Sequence, residues 1–226
     1  MEGATSSARR TGTAARRRSR GIDGFGCRNV SPRGRRAERA VVYLHRGAYI
    51  SHMLPQHWQL ISQLADAGAR VEAAQYGLAP KYTYREAYPF VTAVYRDLLS
   101  DLDAGQVTIM GDSAGPGLAL GVAQSLVGSG LPQPARVVLI SPWLDLTLTN
   151  PAIPEVEARD PFLTTSRLLA AGRGWAGGDG PAQPRLSPVN GPLAPWRPST
   201  STSALATCST RTSGAWKNGL LRKGRP

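Results

Sequence analysis

The sequence predicts an α/β fold, a mostly parallel sheet covered by helices, and three observations carry that expectation. A short, continuous apolar run lies at residues 40–44, and mainly apolar runs recur at 107–110 and 136–141, as in strands buried on both faces. Segments with apolar residues at helical period lie between them. Finally, Val107-Thr108-Ile109-Met110 ends in Gly111-Asp112-Ser113-Ala114-Gly115 and flows into an alanine- and leucine-rich stretch, which reads as strand, hard turn and helix.

Taken in order, Ala40-Val41-Val42-Tyr43-Leu44 is the first strand, followed at once by His45-Arg46-Gly47-Ala48-Tyr49. Residues 55–68 carry Trp58, Leu60, Ile61, Leu64 and Ala65 at helical spacing and end on Gly68, an amphipathic helix with a glycine cap. Residues 70–76 read as a second strand, broken by Gly77-Leu78-Ala79-Pro80. Residues 84–102 return to helical period through Tyr88, Val91, Val94, Tyr95, Leu98 and Leu99.

The strand and turn at 107–115 come next, then a helix over about 114–127 in which Pro116 is tolerated, because a first-turn residue has no intrahelical donor to lose. Residues 136–141 form another apolar strand, closed by Ser141-Pro142-Trp143-Leu144-Asp145. One further helix is expected over 164–171, after which Gly and Pro dominate through Pro195. The domain is therefore drawn at 40–196, between a basic, irregular arm (1–39) and a basic tail of low order (197–226) rich in Ser and Thr.

The net charge of +12 in 226 residues resembles a nucleic-acid signal until it is located. Residues 1–40 hold 11 Arg against three acids, and residues 197–226 hold six basic groups and no acid, which leaves the body between them slightly acidic. Neither basic end interleaves aromatics beyond Trp196 and Trp216, so no specific nucleic-acid partner is expected, and the rival reading is a non-enzymatic binder of nucleic acid or anionic surfaces through the Arg-rich termini. No apolar run approaches the roughly 18 residues of a membrane span. Cys27 and Cys208 lack metal-site spacing and read as free thiols of a reducing compartment, so the expectation is a cytoplasmic protein with no metal and no cofactor. Nothing in the pattern sets an oligomeric state.

The turn at 111–115 is where chemistry enters. A strand-to-helix elbow lifts a serine Oγ off the sheet, while glycines on either side keep Cβ atoms out of the corner, so Ser113 is the candidate nucleophile. A serine needs a general base, an acid that orients the base, and N–H donors aimed at the developing oxyanion. On such a fold the donors are the N–H after the nucleophile, here Ala114, and N–H groups of a glycine-containing loop after an earlier strand, here Gly47 and Ala48.

Four motifs, at His45–Tyr49, Tyr76–Pro80, Gly111–Gly115 and Ser141–Thr147, occur in the order and spacing of the hormone-sensitive-lipase-like esterases, and over residues 40–195 the chain resembles that family of α/β-hydrolases, which includes acetyl hydrolases and short-chain carboxylesterases. The resemblance implies an α/β-hydrolase fold, Ser113 as nucleophile, and Gly47, Ala48 and Ala114 as oxyanion donors. It further implies His45, Gly111, Asp112 and Gly115 as motif-supporting residues, Asp112 in a structural role, and a small-molecule ester as substrate.

The departures from the family pattern are specific. Arg46 stands where the family carries glycine, and a side chain there is expected to crowd the loop or enter the acyl pocket. After Ser113 there is no histidine, for His45, His52 and His57 all precede it, and the expected acid-bearing stretch after residue 196 reads Ser201-Thr202-Ser203-Ala204-Leu205. Read one frame over with chosen codons, residues 198–224 can encode a strand, an acidic loop and an amphipathic helix. The tail is accordingly expected to be a frame-shifted or truncated ending, the fold to lack its last strands, the strand at 137–140 to be an exposed edge, and the activity to be impaired.

Overall fold

The structure is a computed structural model that describes residues 15–192 and the backbone of a strand at Ser201–Leu205. The expectations for residues 1–14, 193–200 and 206–226, including the frame-shifted ending and Cys208, lie outside the described residues.

The sheet has seven strands in the order β1 (Arg16–Ile22), β2 (Phe25–Ser31), β4 (Ala69–Gln75), β3 (Arg39–Leu44), β5 (Val107–Asp112), β6 (Arg136–Ile140) and β7 (Ser201–Leu205). From β4 through β7 every pairing is parallel, as the buried apolar runs require. Helix α1 (Pro55–Asp66) crosses from β3 to β4, α2 (Tyr84–Leu98) from β4 to β5, and α3 (Gly115–Leu126) from β5 to β6. The larger core lies under α2 and α3, around Phe90, Tyr95, Ile109 and Leu118, and a smaller one around Tyr43, Ile61 and Val71 lies under α1.

Local chemistry explains the helix ends. Thr83 caps α2: its hydroxyl accepts from the Arg85 N–H at 3.2 Å, and Glu86 reaches back to the Thr83 N–H at 2.7 Å. That backbone donor, with the Thr83 hydroxyl, holds the Glu86 carboxyl below its ordinary pKa. The α1 N-terminus is capped differently, because Leu54 has no side-chain acceptor to offer and the ring of His57 supplies one. Its Nδ1 accepts the Leu54 N–H at 2.7 Å.

Two expectations are corrected. The arm at 1–39 is not irregular over 16–31, where β1 and β2 form an antiparallel hairpin whose second strand pairs antiparallel with β4. Asp23 and Gly24 both take positive φ in the two-residue connection, the geometry that matches the twist of hairpin strands. Nor is β6 the sheet edge, since β7 pairs with it in parallel register from Arg136↔Ser201 to Ile140↔Leu205. Ladder bonds use main-chain groups, so an apolar composition is not required of the segment that adds to an edge.

Candidate active site

The elbow between β5 and α3 has the strained corner its sequence implies. Ser113 sits at φ +56°, a left-handed conformation uncommon for a residue with a Cβ. Two bonds from the β6 exit hold it there: the Ser113 N–H donates to the Ile140 carbonyl at 2.9 Å, and the Ser113 carbonyl accepts from the Trp143 N–H at 2.8 Å. The flanking glycines are steric necessities. A Cβ on Gly115 would lie 2.0 Å from the Leu44 carbonyl oxygen, and one on Gly111 would lie 2.6 Å from the Gly115 carbonyl carbon.

The loop after β3 approaches this corner through three consecutive positive φ values, +120° at Gly47, +50° at Ala48 and +64° at Tyr49. A Cβ on Gly47 would come within 2.8 Å of the Ser51 carbonyl oxygen, so this position admits only glycine. The Gly47 carbonyl closes the turn by accepting from the N–H groups of Ile50 and Ser51. Among the described residues the N–H groups of Gly47, Ala48 and Ala114 donate to no protein acceptor.

The supporting side chains lock loop and elbow together. Tyr49 is buried, donates its hydroxyl to the Ala114 carbonyl at 2.7 Å, and stacks on Trp175 of α5 (Thr165–Ala176) with centroids 4.2 Å apart. His45 is also buried: its ring stacks on Tyr76 at 4.5 Å, its Nδ1 lies 2.7 Å from the Arg46 carbonyl, and its own carbonyl accepts from the Tyr76 hydroxyl at 2.6 Å. Burial lowers the His45 pKa, so the ring is neutral and donates from Nδ1.

Asp112 ties the loop after β3 to Tyr43 of β3. One carboxylate oxygen accepts from the Tyr43 hydroxyl at 2.7 Å and from the Arg46 N–H at 3.1 Å. The other lies 3.7 Å from His57 Nε2 and 3.9 Å from Arg46 Nε. The Arg46 side chain, expected to crowd the loop or enter the acyl pocket, instead lies along Asp112 and is about half exposed.

No base joins Ser113 among the described residues. His45 and His57 are committed to backbone partners, and His52 is exposed. Asp145 accepts from the Thr147 N–H at 2.8 Å and from the Ser187 hydroxyl at 3.4 Å, which makes it a staple between two loops. No group of His, Cys, Asp or Glu among the described residues could hold a metal ion.

Beside Ser113 opens a cleft of about 100 Å³ walled by Trp143, Leu148, Ile153, Val156 and Leu168, with Glu157 and Asp160 in its lining. Both carboxylates are occupied: Glu157 accepts from the Thr165 N–H at 3.0 Å, and Asp160 from the Phe162 and Leu163 N–H groups at 2.8 and 3.0 Å. Sequence reasoning named Trp143 but not the other wall residues. The signal for part of the wall was Ile153 and Val156 three apart on α4 (Ile153–Glu157), a helix too short to show a period.

An elbow serine, a loop with unspent donors and a mostly parallel sheet define a class, the α/β-hydrolases. Residues 41–208 match the family described as alpha/beta hydrolase fold, and the chain belongs to it. Its relatives are of the hormone-sensitive-lipase-like esterase and acetyl hydrolase kind. An acetyl-hydrolase of Streptomyces hygroscopicus is 38% identical over 157 residues, covering 69% of this chain and 52% of the relative. An esterase of Acinetobacter venetianus is 32% identical over 156 residues, covering 68% and 52%. The crystal structure of an esterase from the bacterial hormone-sensitive lipase family superposes with a TM-score of 0.72 at 30% identity, covering 78% of this chain and 60% of that one. The chain thus spans about half the length of the curated relatives it matches. No helix among the described residues is long and apolar enough to cross a membrane.

Proposed function

We propose that the chain carries the nucleophile half of a serine carboxylic-ester hydrolase. Ser113 attacks the carbonyl carbon of a short-chain acyl ester, and the N–H groups of Gly47, Ala48 and Ala114 take up the negative charge on its oxygen. The observation that carries this reading is a serine held at φ +56° in a strand-to-helix elbow, to which the Tyr49 hydroxyl ties the loop of Gly47 and Ala48, whose N–H groups, like that of Ala114, have no protein acceptor among the described residues. The tetrahedral intermediate collapses as the bond to the alkoxy oxygen breaks, the alcohol leaves with a proton, and water then cleaves the acyl–Ser113 bond to release the acid. The apolar wall at Trp143, Leu148 and Ile153 receives the acyl chain.

The base is the missing part. In this fold the acid and histidine follow the serine, and no histidine follows Ser113 in this chain. Proton transfer from Oγ then falls to water, and turnover is impaired. Donors and binding alone still leave roughly 10³-fold acceleration over water in a triad enzyme stripped of its triad.

Hydrolysis of p-nitrophenyl acetate against a Ser113→Ala control tests the reading. Weak turnover that vanishes in the variant is the expected result, and equal rates in the two proteins overturn it.

A further inference from the structure

We propose that the α1-side face of the β1–β2 hairpin, between Arg17 and Arg28, is a binding site for a phosphate group. This site is separate from Ser113 and does not depend on the reading of it.

The arginines of the hairpin differ in whether an acid meets them. On the α2 side, Arg20 pairs with Asp97 and lies 3.5 Å from Glu72, while Arg70 reaches Glu72 at 2.7 Å and Asp101 at 2.9 Å. Both of these guanidinium groups have carboxylates, whereas Arg16 and Arg18, which share the face of Arg20 by strand alternation, have no carboxylate partner among the described residues. On the α1 side, neither Arg17 nor Arg28 has a carboxylate partner among the described residues, and both are exposed. The acids thus meet Arg20 and Arg70 and leave Arg17 and Arg28 unopposed.

The unpaired arginines are set in a groove of about 250 Å³ lined by Arg17, Arg18, Ser19, Arg28, Val30 and Trp58, with no acid in its lining. The register pairs Arg17 with Val30 and Ser19 with Arg28, so Arg17 and Arg28 are diagonal neighbours on one face, within reach of a common ligand. Two like charges so placed repel, and an anion between them relieves the repulsion.

Arg28 is also aimed. Its guanidinium lies over the Trp58 ring, 5.4 Å from the centroid, and its Nε donates to Gln75 Oε1 at 3.2 Å. Stacking and this bond fix the plane of the fork and leave both Nη groups to donate outward. A tetrahedral oxyanion matches two such forks, because each can take two of its oxygens. The phosphate can come from a soluble phosphate ester or from a phospholipid headgroup, and the groove chemistry is common to both.

The test uses the full chain and two double variants, Arg17→Gln/Arg28→Gln and, as a control of equal charge loss, Arg33→Gln/Arg39→Gln. Glycerol phosphate is titrated by calorimetry, and phosphatidylglycerol and phosphatidylcholine vesicles are sedimented with the protein. The expected result is saturable binding to at least one phosphate probe, weakened about tenfold or more in the first double variant and little changed in the control. Loss of binding to glycerol phosphate as well as to phosphatidylglycerol identifies a site open to soluble esters. Loss confined to the vesicles identifies a headgroup site. Equal weakening in both double variants, or no saturable binding to either probe, overturns the proposal. Should the first double variant not melt cooperatively, Arg17→Gln alone, an exposed change on the edge strand, is expected to weaken binding severalfold, and unchanged binding there also overturns it.

Discussion

The hydroxyl of Tyr49 donates to the carbonyl of Ala114 at 2.7 Å, and this one bond ties the loop that carries Gly47 and Ala48 to the elbow that carries Ser113. Both proposed donor groups thereby move as one body. Replacing Tyr49 with Phe keeps the stack on Trp175 and removes the tie. We expect a loss of about 1–2 kcal/mol in urea unfolding and a severalfold slower reaction of Ser113 with a fluorophosphonate. An unchanged labelling rate would show that the tie does not position the donors.

Gly115 tests the steric account of the elbow. Its absent Cβ would lie 2.0 Å from backbone, the Leu44 carbonyl oxygen, which cannot swing away as a flexible side chain can. Gly115→Ala is expected to cost at least about 3 kcal/mol or to prevent folding, read as the urea midpoint or as soluble yield. Gly105→Ala, where a Cβ meets nothing within 4 Å, serves as the tolerant control.

Acidification should weaken the fold through its buried imidazoles. Burial is the main cause that lowers both His45 and His57 below the ordinary 6.5. The unfolded chain then takes up protons that the folded chain refuses, so the stabilisation is fully present above about pH 6.5 and declines as pH falls below it, by up to about 1.4 kcal/mol per pH unit for each group. His57→Gln, which keeps an acceptor near the Leu54 N–H, is expected to flatten the slope of unfolding free energy between pH 7.5 and 5.5. An identical slope in the variant would count against the account.

Glu72 holds the hairpin to the parallel sheet. It is fully buried and accepts from Asn29 at 2.8 Å and from Arg70 at 2.7 Å, with the Cys27 thiol donating at 3.2 Å. Burial and this carboxylate push the Cys27 thiol up to about 12, so the thiol stays protonated. Glu72→Gln leaves two guanidinium groups without their shared anion and is expected to cost about 3 kcal/mol. It should also raise the reactivity of Cys27 toward a thiol reagent, which mass spectrometry would detect.

The parallel strands and their three crossover helices were legible because their signals are local. Val41 to Leu44 are apolar without interruption, Val107, Ile109 and Met110 are broken only by Thr108, and Tyr88, Val91, Val94 and Tyr95 recur at helical period. The hairpin was hidden by composition. Arg16, Arg17, Arg18 and Arg20 read as a solvated arm, although Asp23-Gly24 was the available turn signal. In the fold Glu72 and Asp97, far away in the chain, meet Arg20, and β2 buries Cys27 and Val30 against the sheet. No window of sequence contains that fact.

The sequence by itself determined the sheet's centre, the elbow, the serine and the three N–H groups proposed as its donors. It also determined that no histidine follows the serine. Each of these depends on residue identity and short spacing. Tertiary structure decided the rest: that Arg46 lies along Asp112 instead of in the cleft, that His45 and His57 serve backbone groups, and that β7 covers the edge of β6. The Arg46–Asp112 contact and the β6–β7 pairing join groups about 65 residues apart, and the roles of the two histidines follow from their burial in the fold. Such meetings are set by burial and hydrogen-bond satisfaction in the folded molecule, which local pattern does not encode.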